Sequence, residues 1–316
     1  MEKAIKQYSS WIREDLPENL KAEAAVIDGN SEEIYDRFCR DITFGTSGLR
    51  GKMGLGTNRI NRIVIRRATM GVADYLLSKH KRATVVIGYD TRVNSEGYAL
   101  EAARVLSKRG IDVRLFGEPT PVPVVSFAIR HLRADGGIMI TASHNPKEYN
   151  GYKVYDHFGN QIDELKARRI EEYINKRAYF ENMDGGAEGA IEECPEQIKE
   201  AYLKAVADQF LPWTDDEGEV KQALAALNVV YTPLNGAGRD YAMNVLGRLG
   251  VNLTTVDEQM ERDGNFPTCP KPNPESEETF ETALRYAKDD TDVIIATDPD
   301  SDRMLSLIHI SEPTRH

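Results

Sequence analysis

Three aspartates alternate in the segment Asp298-Pro-Asp-Ser-Asp-Arg303. They directly follow the run 292–297, whose apolar, β-branched composition is typical of a buried strand, so the three carboxylates are crowded at the exit of one strand. Like charges at such short range repel one another unless a cation lies among them. Because oxygen ligands suit Mg²⁺ or Mn²⁺, the spacing favours a divalent metal site at Asp298, Asp300 and Asp302 over the plainer alternative, a solvated acidic turn.

Two other kinds of site begin with the same Asp-x-Asp spacing. A calcium-binding EF-hand loop needs glycine at its sixth position and glutamate at its twelfth, where this chain has Arg303 and His309, so the calcium loop is excluded. A haloacid-dehalogenase-type phosphatase also places Asp-x-Asp after a strand. In that alternative, which stays open, Asp298 itself would take up the phosphoryl group.

Ser143 is the second group that could do chemistry. It lies in Thr141-Ala-Ser-His-Asn-Pro146, directly after the apolar run 137–140, and loops at strand ends hold much of the chemistry of α/β proteins. The Gly-x-Ser-x-Gly elbow of acyl-transfer hydrolases is absent here and in the segment 45–49, so that reaction is not expected. The residues alone leave two alternatives for Ser143, a catalytic nucleophile or the serine of a capped turn.

A single shared site would account for both Ser143 and the three aspartates. A phosphorylated serine carries a charge of roughly −1.5 to −2, which nearby aspartates would repel without a metal ion. With one Mg²⁺, three aspartate oxygens and one phosphate oxygen on Ser143 would surround the ion, and the phosphoryl group would be oriented for transfer. The cationic side chains that could donate hydrogen bonds to this phosphate are Arg50, Lys153 and Arg303.

Composition excludes several functional classes. The chain has 316 residues, enough for two domains, with 41% hydrophobic and 29% charged residues. Its net charge of −11 disfavours general nucleic-acid binding. No apolar run reaches the roughly 18 residues that a membrane span needs, no signal segment follows Met1, and the cysteines show no paired spacing. We expect a cytoplasmic protein that binds a small molecule, without nucleic-acid or membrane partners.

The pattern of strands and helices predicts an α/β protein with two successive layered domains and mixed sheets. The expected parts are an N-terminal helical arm at 1–40, domain I at 41–195 with an acidic surface excursion at 181–189, domain II at 196–305 and a segment foreign to the fold at 306–316. The predicted strands are 83–89, 111–116, 137–140 and 151–155 in domain I, and 227–231, 251–256 and 292–297 in domain II. Asn61 is expected to cap a helix, and 275–288 is expected to form another.

The chain resembles the α-D-phosphohexomutases, in particular the longer bacterial phosphoglucomutases. The segments that carry the resemblance are 44–51 (Phe-Gly-Thr-Ser-Gly-Leu-Arg-Gly), 141–146, 151–153 (Gly-Tyr-Lys) and 298–303, with further likeness at 231–238 and 264–274. Their order and spacing agree with the family from about residue 40 to 304. One departure is Ser301, which stands where many relatives have glycine or alanine.

The resemblance implies an isomerase that interconverts glucose 1-phosphate and glucose 6-phosphate. A phosphoserine at Ser143 would give its phosphoryl group to the sugar, with glucose 1,6-bisphosphate as the intermediate. The implied ligands of one Mg²⁺ are Asp298, Asp300, Asp302 and the phosphate on Ser143. The groups implied near the phosphoryl group and the sugar are Arg50, His144 and Lys153. Lys153 and His144 are both candidates for proton transfer.

Family members have four domains, and this chain resembles the first two. The resemblance places the sugar-selecting loop in the third domain and the distal phosphate clamp in the fourth, so we expect the 316-residue chain to turn over sugar phosphates poorly or not at all. A phosphomannomutase or phosphopentomutase of the same family stays an alternative. A non-catalytic sugar-phosphate-binding protein is another.

Overall fold

The computed structural model describes residues 1–182 and 188–308. The α-helices in this part of the chain are α1 (Glu2–Trp11), α2 (Glu18–Ile27), α3 (Ser31–Phe38), α4 (Arg62–Leu77), α5 (Ser95–Lys108), α6 (Val122–His131), α7 (Glu164–Asn175), α8 (Gln197–Ala207), α9 (Glu217–Ala226), α10 (Arg239–Leu249) and α11 (Glu281–Leu284). Its strands are β1 (Leu49–Lys52), β2 (Thr84–Tyr89), β3 (Asp112–Leu115), β4 (Gly136–Ile140), β5 (Tyr149–Asp156), β6 (Ile191–Glu193), β7 (Asn228–Thr232), β8 (Asn252–Thr255), β9 (Val293–Thr297) and β10 (Met304–Ile308). None of these helices has the length and apolar character needed to cross a bilayer.

The first sheet has the strand order β1-β5-β4-β2-β3-β6. Strands β4, β2, β3 and β6 are parallel, whereas β5 and β1 run antiparallel to their neighbours. Every residue of β4 is buried, because Ile138 and Ile140 pack into the core that contains α4 and α5 while Met139 packs into the core that contains α6. Tyr89 of β2 lies opposite Ile140 of β4, so the loops after these two strands leave the same edge of the sheet.

The second sheet has the order β10-β9-β7-β8. Strands β9, β7 and β8 are parallel, and β10 is antiparallel to β9. Both sheets are therefore mixed, and the predicted α/β class with two layered domains is confirmed. The apolar β-branched residues of β9 place Asp298 directly at the carboxyl end of the second sheet.

Helices α1 to α3 cover residues 1–40 and pack on the first domain. Trp11 is 1% exposed, and Leu16 and Leu20 are buried beside the same core. The rings that meet Trp11 edge-on are those of Phe38, Tyr179 and Phe180. Ile12, the next residue after Trp11, is in contrast 44% exposed. The reason is that α1 ends at Trp11, and the next position on a helix points about 100° away.

Residues 275–288 differ from the single helix that the sequence predicts. A 3₁₀ turn at Glu277–Phe280 leads into only one turn of α-helix, α11. Local hydrogen bonds account for the difference, because Thr279 Oγ1 donates to the carbonyl of Asn273 at 2.5 Å and the Glu275 N–H donates to Asn273 Oδ1 at 3.2 Å. Such bonds between side chain and backbone compete with a helical ladder.

The end of the described chain also differs from expectation. Residues 306–308, which the sequence assigns to a foreign segment, continue β10 and pair with β9. The remainder of that segment, 309–316, lies outside the described residues, and so does 183–187 of the predicted excursion at 181–189. The sequence also misses β1, β6 and α9, which are short or weakly patterned.

Asn61 caps α4, as the sequence predicts. Its Oδ1 accepts from the Val64 N–H at 3.0 Å, and its Nδ2 donates to the carbonyls of Gly54 at 2.8 Å and Gly56 at 3.0 Å. Because Asn61 is buried, Asn61→Ala leaves one N–H and two carbonyls without these partners. We expect the free energy of unfolding, measured by urea denaturation with circular dichroism, to fall by about 2 kcal/mol.

Asn30→Ala is the matched control. Asn30 caps α3 with one bond to the Glu33 N–H at 3.2 Å, and it lies in an exposed position. Water can replace this bond, so the loss should stay below about 1 kcal/mol. Equal losses for the two variants would contradict the role assigned to the buried Asn61.

Candidate active site

The serine loop of domain I and the aspartate loop of domain II meet at the carboxyl ends of β4 and β9. Ser143 Oγ donates a hydrogen bond to Asp298 Oδ2 at 2.9 Å. Thr141 Oγ1 lies 3.0 Å from Asp300 Oδ2, and the N–H of Val122 donates to the Asp300 carbonyl at 2.9 Å. Side chains about 155 positions apart in the sequence therefore form one site across the domain boundary.

The three aspartates fit a divalent metal ion. Their carboxylates can each offer one oxygen, and these oxygens lie within 4.8 Å of one another. Asp298 and Asp300 are 0% exposed, and Asp300 Oδ1 has no hydrogen-bond partner among the described residues. Burial, together with the charges of Asp300 and Asp302, raises the pKa of Asp298 to about 8. A cation such as Mg²⁺ or Mn²⁺ would provide the missing partner and relieve this repulsion.

Lys153 on β5 balances part of the negative charge. Its Nζ donates to Asp300 Oδ2 at 2.9 Å and to Asp302 Oδ2 at 3.1 Å. Burial lowers the pKa of Lys153, but the attraction of these two carboxylates outweighs burial, so its pKa lies above the ordinary value. Burial alone would raise the pKa of Asp300, yet Lys153 holds it below the ordinary value. One lysine beside three carboxylates still leaves net negative charge for a metal ion to neutralise.

Ser143 is held in an uncommon backbone conformation in which its hydroxyl group contacts Asp298. Its φ of 53° lies in the left-handed region, and its N–H donates to Thr141 Oγ1 at 2.8 Å. His144 Nδ1 lies 3.2 Å from Ser143 Oγ. Burial lowers the pKa of His144, and the positive charges of Arg303 and Arg50 lower it further. A neutral imidazole therefore lies within proton-transfer distance of the serine.

The two predicted arginines occupy different positions. Arg50 on β1 reaches the serine loop, where its Nη1 donates to Asn145 Oδ1 at 3.2 Å. The guanidinium of Arg303 lies at the rim of the site, 3.2 Å from Glu275 Oε1 and 3.9 Å from Asp302 Oδ1, with 41% of its side chain exposed. Its backbone N–H is nearer the centre and donates to Asp298 Oδ1 at 3.1 Å. A phosphate contact from the Arg303 side chain stays a prediction.

The backbone explains the departure at Ser301. Its φ of 52° lies in the left-handed region, which glycine adopts without steric cost. Ser301 Oγ donates to the Asp298 carbonyl at 3.2 Å, a local bond that stabilises the turn between Asp300 and Asp302. The serine thus keeps the loop geometry in which alternate aspartates face one side.

A buried ion pair that the sequence did not reveal lies beneath the serine loop. Asp90 and Arg92 follow β2, and both side chains are 0% exposed with 3.2 Å between Asp90 Oδ2 and Arg92 Nε. Asp90 Oδ2 lies 2.7 Å from Thr141 Oγ1, and Asp90 Oδ1 accepts from Ser95 Oγ at 2.7 Å. The sequence feature that could have revealed this pair is the Asp-x-Arg spacing directly after a buried strand. By itself it is typical of an ordinary polar loop, and its role becomes clear only because β2 lies beside β4.

Comparison with known proteins places the chain in one family. A family model described as phosphoglucomutase/phosphomannomutase, alpha/beta/alpha domain I, matches residues 41–180, and the corresponding domain II model matches residues 200–309. A phosphoglucomutase of Staphylococcus haemolyticus is 40% identical over 271 residues, covering 84% of this chain and 48% of that protein. One of Staphylococcus epidermidis is 36% identical over 281 residues, covering 87% and 50%.

A solved structure shows the same fold. The crystal structure of a phosphoglucomutase/phosphomannomutase family protein from Burkholderia thailandensis superposes with a TM-score of 0.68 at 23% identity, covering 84% of this chain and 54% of that one. Fold and site together define a two-domain α/β scaffold with a serine facing a carboxylate triad. The chain belongs to the phosphoglucomutase/phosphomannomutase family, whose members are phosphohexomutases of the isomerase class. It spans about half the length of the curated relatives it matches.

The fit of the triad to a divalent cation predicts a direct binding result. Mn²⁺, titrated by calorimetry or electron paramagnetic resonance, should bind the wild-type chain at one site. Asp300→Asn removes the charge of a fully buried ligand, so we expect the affinity to fall roughly tenfold or more. Asp289→Asn is the control, since Asp289 is exposed in the same domain. Unchanged Mn²⁺ affinity in Asp300→Asn would show that the triad is not the metal site.

Proposed function

We propose that this chain carries the phosphoryl-transfer half of a phosphoglucomutase, which interconverts glucose 1-phosphate and glucose 6-phosphate. The observation that carries the proposal is the 2.9 Å hydrogen bond from Ser143 Oγ to Asp298, one member of a buried carboxylate triad. A serine hydroxyl at this position is ready to hold a phosphoryl group beside a metal ion. A sugar phosphate is the small-molecule partner, and the cytoplasm is the proposed location.

In the proposed reaction Ser143 alternates between phosphoserine and free hydroxyl. In transfer to the sugar, the bond between Ser143 Oγ and phosphorus breaks and a bond from phosphorus to a sugar hydroxyl oxygen forms. The proton of that hydroxyl passes to a base, and the released Ser143 Oγ takes up a proton. The product is glucose 1,6-bisphosphate. In the return step the bond between the other phosphorus and its sugar oxygen breaks and a bond from that phosphorus to Ser143 Oγ forms. The Ser143 proton passes to a base, and the released sugar oxygen takes up a proton to give the product monophosphate.

Geometry supports His144 as the acceptor of the serine proton, because its Nδ1 lies 3.2 Å from Ser143 Oγ. Lys153 donates to Asp300 and Asp302, which supports a role in orienting the metal ligands and in hydrogen bonding to the phosphate. Arg50, which donates to Asn145 in the serine loop, is placed to donate a hydrogen bond to the same phosphate. A Mg²⁺ bound by the three aspartates and the phosphate on Ser143 would polarise the phosphoryl group and neutralise charge that develops during transfer.

We further propose that the sugar is glucose. The relatives described above are named phosphoglucomutases, which supports glucose. A related mutase acting on phosphomannose or phosphopentose shares this transfer site, and comparing the three sugar phosphates with the full-length protein separates these alternatives. For the 316-residue chain itself we propose slow or no turnover, measured in a coupled assay of glucose 6-phosphate formation.

Phosphorylation of Ser143 tests the proposed function directly. The chain is incubated with glucose 1,6-bisphosphate and Mg²⁺, and its mass is measured before and after. We expect one added phosphoryl group, located on Ser143 by fragmentation, and none in Ser143→Ala. Phosphate on Asp298 instead would favour the dehalogenase-type phosphatase. No phosphate on either residue, with bisphosphate bound, would favour a non-catalytic sugar-phosphate-binding protein.

The position of His144 predicts a rate effect. His144→Gln keeps a polar side chain but removes the base beside Ser143 Oγ, so the rate of Ser143 phosphorylation should fall about 100-fold. Quenched-flow sampling with mass spectrometry measures this rate. His157→Gln is the control, because His157 lies in an exposed turn after β5. Equal rates in His144→Gln and wild type would assign proton transfer to another group.

A further inference from the structure

One segment of domain II packs directly against the loop that follows β2 in domain I. Gly264 forms an isolated parallel bridge with Arg92. A Cβ atom on Gly264 would lie 2.4 Å from the Val93 nitrogen and 2.5 Å from the Thr91 carbonyl oxygen, closer than real Cβ atoms approach. Glycine is therefore required by the close approach of two backbones. The segment belongs to 264–274, which resembles the family and whose role the sequence alone does not indicate.

Phe266 completes this contact. It is 0% exposed, and its ring centroid lies 5.1 Å from the guanidinium carbon of Arg92. Its φ of 46° lies in the left-handed region, which is uncommon for a bulky residue and indicates that packing imposes the conformation. An arginine over an aromatic face gains a cation–π attraction that is larger when both groups are buried.

Arg92 in turn holds the backbone of the serine loop. Its Nη2 donates to the carbonyls of Ser143 at 2.5 Å and Asn145 at 2.6 Å. Its Nη1 donates to the carbonyls of Pro146 at 2.9 Å and Tyr149 at 3.2 Å. Four carbonyls between residues 143 and 149, the last at the start of β5, thus converge on a single planar guanidinium. A lysine would place all its donors on one nitrogen atom and could not span this set.

We propose that Gly264 and Phe266 of domain II position the phosphoserine loop of domain I by fixing Arg92, so that these three residues are positioning residues for phosphoryl transfer. The 264–266 segment acts at the Arg92 side of the loop, separately from the aspartate triad that contacts Ser143 Oγ. Docking of domain II therefore sets the loop geometry as well as supplying the metal ligands. This proposal rests on the proposed function for its kinetic consequence, but its structural consequence is measurable without any reaction.

The experiment uses the 316-residue chain and three variants, Gly264→Ala, Phe266→Leu and Arg92→Lys. Hydrogen exchange of the peptide 141–150, followed by mass spectrometry, reports loop order. We expect roughly tenfold faster exchange in each variant, while the peptide 84–115, which contains β2 and β3, stays protected and shows that domain I is folded. Gly247→Ala is the matched control, since nothing lies within 4 Å of the added Cβ.

The kinetic measurement separates positioning from binding. We expect the maximal rate of Ser143 phosphorylation by glucose 1,6-bisphosphate to fall roughly tenfold in Gly264→Ala, with the half-saturating concentration changed less than about twofold. Loop exchange equal to that of Gly247→Ala in all three variants would overturn the proposal, whatever the rates. If wild type takes up no phosphate, the proposed function fails, and the exchange result alone decides whether the 264–266 segment orders the loop.

Discussion

Negative charge crowded at the carboxyl end of β9 is the constraint on which this site depends. Carboxylate oxygens within 4.8 Å of one another repel by an amount on the order of 3 kcal/mol per pair at an effective dielectric constant of about 20. Lys153 offsets part of this cost by its ion pairs with Asp300 and Asp302. Burial, with the charges of Asp300 and Asp302, raises the pKa of Asp298. The surrounding structure therefore holds a buried carboxylate cluster whose oxygens fit a cation.

Parallel strands bring the reacting parts together. The loops after β2 and β4 leave one edge of the first sheet, and the loop after β9 leaves the carboxyl edge of the second. The domains then join through those edges, with the Val122 N–H bonded to the Asp300 carbonyl and Ser143 bonded to Asp298. Ser143 and the three aspartates that meet it therefore come from different domains.

A second charged group, the fully buried ion pair of Asp90 and Arg92, supports the serine loop that meets the aspartates. Asp90 and Arg92 would be costly to bury unpaired, but their hydrogen bonds to Thr141, Ser95 and four loop carbonyls satisfy most of their polar atoms. Such a network holds one loop conformation more firmly than apolar packing would, because each bond has a direction. It accounts for the left-handed backbone at Ser143, which an unsupported turn would not retain.

The sequence by itself determined strands β2 to β5 and β7 to β9, the Asn61 cap and the candidate groups, because apolar runs, capping and crowded carboxylates are local patterns. It did not determine the short structure at 275–288, where hydrogen bonds to Asn273 compete with the helix. Only the tertiary structure decided that Arg303 faces Glu275 while Arg92 holds the serine loop. A charged side chain pairs with whichever oppositely charged or polar group lies near it in space. Spacing along the chain does not determine which of the many carboxylates or carbonyls this group is.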